Sequence, residues 1–396
     1  MISRKQCLIR METSILLFVF LLTSINYLQS QTLDTLVDVG GYKLHFNIIK
    51  GEGTPILFES GNSFKGTPWN GTLKLIHKIT GATIITYDRS GFGKSELNPN
   101  ETDASKFGIN NNMKELDIAL TKLGYIDEFV LVGHSIGAFY TSLFAARHAE
   151  KVKGIVLLNG HLPGYWTKER LAKSPPPNKT KLKLNSYYLR VNFADMIDTV
   201  RDAGIPLSIP VIDVVAGIPL FFMDDDDFND WKMAHKEFAD RNKNIQGIVA
   251  HGSGHYLFKS NEVLFLNTIT KIYAETLPVE QKIKVLNRGI NMSIERVNLA
   301  KKEQMEYLNS ELNLNQFSNR LIKNEELDKA LKVLKLNIIL FPNSWRTYKN
   351  YADILLKFQQ TKEAVKMYEK SIQINPNNEQ IKRILENLKL EKSNNE

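Results

Sequence analysis

Phe129-Val130-Leu131-Val132-Gly133-His134-Ser135-Ile136-Gly137-Ala138-Phe139-Tyr140-Thr141-Ser142-Leu143 is the stretch that decides how this chain is read. Its first four residues are apolar and rich in strand formers, as in a strand buried on both faces. From Ala138 the residues favour a helix. Between the two, glycines at 133 and 137 bracket Ser135. A serine at a strand-to-helix turn is held in a strained backbone conformation with its Oγ exposed. A side chain two residues to either side would collide, so both flanking positions call for glycine. The helix that follows aims its first backbone N–H groups at the same place, where negative charge on a substrate oxygen would be stabilised.

Working outward, short apolar strands recur between helical stretches. Leu36–Val39 and Tyr42–Ile48 flank Gly40-Gly41 and read as a β-hairpin. Ile56–Glu59, Ala82–Tyr87, Gly154–Leu158, Pro210–Val215 and Ile245–Ala250 read as further strands, with helices at Asn111–Leu123, Gly137–His148 and Glu262–Glu275. Strands alternating with helices imply an α/β class with a mainly parallel sheet covered on both faces. Between about 162 and 208 the alternation breaks at Pro175-Pro176-Pro177 and a helical stretch Asn185–Ala203 follows, which reads as a small helical lid.

A serine hydroxyl is a weak nucleophile until a base takes its proton. Of the eight histidines, His255 in His251-Gly252-Ser253-Gly254-His255-Tyr256 follows the last strand of the sheet. Loops at the carboxyl ends of such strands converge on one crevice, which makes His255 the candidate base and leaves His251 a structural role. Gly252 and Gly254 place both histidines on a loop, and no carboxylate or cysteine cluster accompanies them, so no metal and no cofactor is expected.

From about Val37 to Leu277 the chain resembles the α/β-hydrolase superfamily. The elbow around Ser135, the Gly-Ser-Gly-His run and Tyr87-Asp88-Arg89-Ser90-Gly91-Phe92-Gly93-Lys94-Ser95 recur in that family's order. Glu59-Ser60-Gly61-Asn62, with Trp69 beyond, is similar to the loop after its third strand. The resemblance implies an oxyanion hole from the backbone N–H groups of Asn62 and Ile136, each such donor being worth about 3 kcal/mol of barrier. Asp88 and Arg89 would be structural.

The third catalytic member is where the chain departs from the family. Relatives carry an acid after the sixth or seventh strand. After the sixth comes Asn159, which bears no charge. After the seventh, Ile218 to Met223 intervene before Asp224, Asp225, Asp226 and Asp227. One of these four is the expected acid, Asp224 being the best single candidate, although the run also suits the N-terminus of a helix through Trp231.

Dehalogenases and epoxide hydrolases of this fold carry aspartate at the elbow. Serine therefore implies acyl transfer to water, with an ester, thioester, amide or lactone as the small acyl substrate. Tyr187, Tyr188, Leu189 and Phe193 in the lid would shape an apolar acyl pocket. Two rivals remain open at this stage. One is an inactive hydrolase fold that binds partners through the C-terminal repeats. The other is an aminopeptidase, which would need an acidic pocket for a substrate ammonium.

The ends of the chain supply the rest. Arg4, Lys5 and Arg10 precede the apolar run Ile15–Leu22 and then more polar residues, the layout of a secretory signal peptide over 1–30. The run is shorter than the roughly 20 residues of a membrane span, so export with no span in the mature chain is expected, an uncleaved anchor being the alternative. Cys7 is the single cysteine, which rules out a disulfide within the mature chain. The net charge of +8 derives from the C-terminal part, where 21 Lys and Arg face 14 Asp and Glu from Gln281 onward. Basic residues alternate with acids there and lack interleaved aromatics, so no nucleic-acid partner is expected.

Beyond Pro278 there is no strand pattern. Ala330 and Ala364, Leu334 and Tyr368, Pro342 and Pro376, and Asn343 and Asn377 recur at a spacing of 34. That period resembles the tetratricopeptide repeat, a helix-turn-helix unit that buries its apolar face by stacking and presents a concave surface to a peptide or protein partner. The expected organisation is a signal peptide (1–30), an α/β-hydrolase domain (31–277), a helical linker (278–310) and helical repeats (311–396).

Overall fold

The computed structural model describes residues 32–62, 69, 71–100, 103–220 and 223–302, positions 311, 314, 315, 318, 319 and 322, and residues 327–393. The leader expected over 1–30 lies outside them.

The strands are β1 (Thr32–Asp38), β2 (Lys43–Ile49), β3 (Ile56–Glu59), β4 (Ile84–Tyr87), β5 (Phe129–His134), β6 (Val152–Leu158), β7 (Val211–Ala216) and β8 (Ile245–Ala250). They form one eight-stranded sheet in the order β1-β2-β4-β3-β5-β6-β7-β8. β1 and β2 are an antiparallel hairpin whose turn uses Gly40 and Gly41 at φ 124° and 95°, values closed to most side chains. β2 runs antiparallel to β4, whereas β3 is parallel to β4 and β5, and β7 is parallel to β8. Every residue of β3, β4 and β5 is buried, which explains their predominantly apolar sequences. The β3–β5 register sets Glu59 beside Gly133, so the loop after β3 leaves the sheet next to the Ser135 turn.

The described residues divide into two compact units at β6. The first runs to Ile155 and includes Trp166–Ile209. Its helices are α1 (Thr72–Thr80), α2 (Ile109–Lys122), α3 (Gly137–Arg147), α4 (Lys168–Ala172), α5 (Leu184–Val191) and α6 (Phe193–Ala203). The helical stretch expected over Asn185–Ala203 is thus made of two helices. Asn192 stands between them at φ −88° and ψ 6°: its backbone keeps the helical bonds to Tyr188 and Met196, and its side-chain amide donates to the carbonyls of Ala104 and Tyr188.

The second unit comprises Val156–Tyr165 and the chain from Pro210 onward. It contains α7 (Asp225–Asp240), α8 (Leu257–Ser260), α9 (Glu262–Ala274), α10 (Val279–Lys302), α11 (Leu327–Leu340), α12 (Trp345–Lys357), α13 (Thr361–Ile374) and α14 (Glu379–Ser393). Among the described residues no helix is long and apolar enough to cross a membrane. The starts of α11 and α13, and of α12 and α14, are each 34 residues apart. Ala330, Leu334, Ala364 and Tyr368 are all buried, and the small alanines admit close helix approach. Pro342 and Pro376 each come two residues after a helix end, where a missing N–H costs nothing.

Candidate active site

The Ser135 turn is built within the first unit. Ser135 has φ 56°, left-handed for a residue with a Cβ, and is flanked by β5 and by Ile136, the N-cap of α3. The glycines around it are required by contact. A Cβ on Gly137 would lie 2.4 Å from the Glu59 carbonyl oxygen, and one on Gly133 would lie 2.5 Å from Thr141 Oγ1. A third glycine, which the sequence reading had not singled out for this reason, approaches from β3: a Cβ on Gly61 would lie 3.2 Å from Ser135 Cβ. The Ser135 turn therefore rests directly on the Glu59–Gly61 backbone.

That backbone is clamped from below. Arg89, buried, donates from Nη1 to the Ser60 carbonyl (2.9 Å) and from Nη2 to the Gly61 carbonyl (2.8 Å). Its charge faces Glu59 at 3.3 Å, and Tyr87 Oη donates to the other Glu59 oxygen at 2.6 Å. Burial pushes the Glu59 carboxyl up to about 7, opposed by the Arg89 charge and by the Tyr87 and Arg89 hydrogen bonds. The Arg89 guanidinium lies over the Tyr140 ring at 4.4 Å, which ties the clamp to α3. Arg89 thus has the structural part expected of it, directed at the loop that ends in Asn62. Asn62 is exposed in a turn, and residues 63–68 lie outside the described set. Ile136 heads α3, where the first amides have no acceptor within the helix.

Asp88 is also structural. It meets His45 Nδ1 at 2.9 Å and accepts from the Lys94 N–H at 2.9 Å. In the lid, Tyr188 stacks on Phe107 at 3.9 Å and Phe193 meets Trp166 and Phe139 at 4.9 and 6.2 Å, so both rings are engaged in packing.

The second unit holds His255. Its loop is fixed by Ser253, whose carbonyl accepts from the Gly217 and Ile218 N–H groups at 3.0 and 3.1 Å, and whose Oγ accepts from Asn261 Nδ2 at 3.1 Å. Burial lowers His255 to about 4, so the ring is neutral at physiological pH. His255 Nδ1 is 2.7 Å from Asn159 Nδ2.

This corrects the expected acid. Asp224 is exposed, and its carboxylate accepts from the Asp227 N–H at 2.8 Å as the N-cap of α7, while Asp225, Asp226 and Asp227 form the first turn. Anions at a helix N-terminus satisfy orphan N–H groups, which accounts for the acidic run. The position facing the imidazole belongs to Asn159, at the end of β6 with φ 45°. Its Oδ1 accepts from the Ala216 N–H at 3.0 Å and from Trp231 Nε1 at 3.1 Å. Both partners can only donate, so the amide NH₂ must face His255, and Nδ1 must accept. Neutral His255 then carries its proton on Nε2.

Trp231, buried on α7, was missed as a site residue. Its rings pack edge-on against Tyr165 at 4.8 Å and His161 at 5.3 Å, leaving the indole N–H for Asn159. The signal was available in principle, since a buried indole needs an acceptor. Burial lowers His161 to about 3, with smaller contributions from His255 and His235.

The strand order and the serine turn define an α/β-hydrolase-fold protein, and residues 55–212 match the alpha/beta hydrolase fold family. The chain is 29% identical over 133 residues to the uncharacterised Bacillus subtilis protein YqjL, which covers 33% of this chain and 50% of that protein. It is 31% identical over 129 residues to the cis-3-alkyl-4-alkyloxetan-2-one decarboxylase of Shewanella oneidensis, covering 31% of this chain and 38% of that enzyme. Half or less of either relative is thus spanned. Among solved structures, the haloalkane dehalogenase DatA of Agrobacterium tumefaciens superposes with a TM-score of 0.43 at 14% identity, covering 61% of this chain and 97% of that one.

Proposed function

We propose that this chain is an exported serine hydrolase that cleaves an ester, thioester, amide or lactone through an acyl-enzyme on Ser135, with His255 as general base and acid. The observation that carries the reading is the Ser135 turn: φ 56°, strand before, helix after, and glycines at 61, 133 and 137. Such a strained serine has no packing purpose and suits attack on an acyl carbon. Asn62 and Ile136 would supply the oxyanion N–H groups. The neutral amide of Asn159 makes the enzyme slow in this form. With Nδ1 accepting, Nε2 holds a proton and cannot take one from serine. In serine proteases the equivalent aspartate-to-asparagine change preserves geometry and lowers kcat about ten-thousandfold.

Asn159 also favours a second reading, a hydrolase fold without turnover whose C-terminal tetratricopeptide-like helices bind a protein or peptide. A fluorophosphonate probe with Ser135→Ala as control separates the two. Slow labelling confined to Ser135 supports the hydrolase, and labelling that persists in Ser135→Ala removes it. A panel of acyl esters and aminoacyl amides then distinguishes an esterase from an aminopeptidase. Export is supported by the leader-like residues 1–30.

A further inference from the structure

The Asn159 pocket is shaped for a carboxylate. One side-chain oxygen is held by two N–H donors, Ala216 N and Trp231 Nε1, and the other terminal atom is directed at an imidazole nitrogen at 2.7 Å. An aspartate would keep both donors on Oδ1 and accept from His255 Nδ1 with its second oxygen. His255 would then carry its proton on Nδ1, leaving Nε2 able to receive one. A single-atom exchange, nitrogen for oxygen, separates this chain from that arrangement.

The residue after Asn159 is Gly160. An asparagine followed by glycine is the pair most open to deamidation, because no Cβ hinders the glycine nitrogen as it approaches the asparagine Cγ. Here the surroundings favour the same step. Negative charge developing on Oδ1 would fall on the two N–H donors, the arrangement that stabilises an oxyanion in acyl transfer. The departing Nδ2 needs a proton and has His255 within hydrogen-bond reach to relay it.

We infer that Asn159 is a self-processing site, deamidating to aspartate within its own pocket and so completing the Ser135-His255 machinery after synthesis. In the first step the Gly160 nitrogen bonds to Asn159 Cγ. The Cγ–Nδ2 bond breaks with its electron pair on nitrogen, which takes the Gly160 proton by way of His255 and leaves as ammonia. In the second step water adds to Cγ of the resulting succinimide and the Cγ–N(Gly160) bond breaks, returning that nitrogen its proton. The net change is one water consumed and one ammonia released. Because the donors polarise the Cγ carbonyl rather than the main-chain carbonyl, water is directed to Cγ and the product is aspartate. Unstructured Asn-Gly sequences give chiefly isoaspartate.

The inference builds on the hydrolase reading, and the test keeps the two apart. The purified full chain is held at mildly alkaline pH and residue 159 is followed by peptide mass spectrometry, with separation of aspartate from isoaspartate. A free peptide spanning residues 156–162 serves as the clock. The expected result is that position 159 converts within the lifetime of the free peptide, mainly to aspartate, and that His255→Ala slows conversion several-fold and shifts the product towards isoaspartate. Fluorophosphonate labelling of Ser135 should rise in step with the aspartate fraction, reaching the level of Asn159→Asp. An amide still intact when the free peptide has turned over, or conversion that His255→Ala leaves unchanged, overturns the inference. If Asn159→Asp labels strongly while the natural chain never converts, the hydrolase reading stands and self-processing fails. If residue 159 converts but labelling does not rise, the arming role is wrong.

Discussion

Trp231 Nε1 donates to Asn159 Oδ1 at 3.1 Å and, together with the Ala216 N–H, fixes which way the amide faces His255. A helix that begins on four aspartates thereby reaches the Asn159–His255 pair through its indole and not through an acid. The acidic run and the site are connected, but by the helix the aspartates cap.

Measured against the chain whose Asn159 amide is still intact, Asn159→Asp should raise kcat by about a thousandfold or more, approaching the ten-thousandfold that the reverse change costs a serine protease. It should also move the acid limb of the kcat/KM profile. In the natural chain His255 is held near 4 by burial, so activity should persist to mildly acidic pH. A carboxylate at 159 favours the charged imidazolium and raises that pKa, so the limb shifts towards neutrality. A pH profile of both proteins against one ester checks it. An unchanged limb would show that residue 159 does not address His255.

Trp231→Phe keeps most of the ring packing and deletes the donor. One acceptor on Oδ1 loses its partner in a buried setting, a cost of about 1–3 kcal/mol. Chemical denaturation should show that loss with an unchanged slope. The Ala216 N–H still requires Oδ1 as its acceptor, so the amide keeps its NH₂ towards His255 and the labelling rate of Ser135 should change little.

Much of this was legible in the sequence, for identifiable reasons. Strands such as Ile56–Glu59 and Phe129–His134 are buried on both faces, so composition alone marks them, and the Ser135 turn carries glycines that only close contact explains. The acid was not legible. Asp224 and Asn159 are 65 residues apart in sequence and compete for one histidine, and the outcome depends on where β6 and α7 place their ends. The division at Asn192 was hidden because the backbone there keeps its helical bonds to Tyr188 and Met196 and no glycine or proline marks it. Gly61 reads as an ordinary loop glycine until the β3–β5 register brings it to Ser135.

Arg89→Lys retains charge but loses the planar fork that holds the Ser60 and Gly61 carbonyls together. The loop ending in Asn62 should then lose its fixed position relative to Ser135. The expected effect is a fall in kcat of about ten- to a hundredfold, the scale of one oxyanion donor, with little change in KM. Arg89→Met should be worse in a different way: the buried Glu59 loses its counter-charge and takes up a proton, and the Ser60 and Gly61 carbonyls lose their donors, at a cost of about 1–3 kcal/mol for each buried acceptor left unpaired. Kinetics for the lysine variant and thermal unfolding for the methionine variant separate positioning from stability.

His161→Phe isolates a pH effect on stability. Burial lowers His161 from 6.5 to about 3, so the folded chain keeps it neutral while the unfolded chain takes up a proton below 6.5. Its contribution is complete above pH 6.5 and is lost as pH falls towards 3, at about 1.4 kcal/mol per pH unit. Glu59 and Glu115, both raised to about 7, act in the opposite sense, their stabilisation being lost as pH rises from 4.5 through 7. The total stability curve therefore mixes the two, and the difference between natural chain and variant is the quantity to follow. That difference should be constant above pH 6.5 and should shift steadily in favour of the phenylalanine variant as pH falls from 6 to 4, measured by urea unfolding at each pH. A flat difference across that range would mean that His161 takes its proton in the folded chain as readily as in the unfolded one.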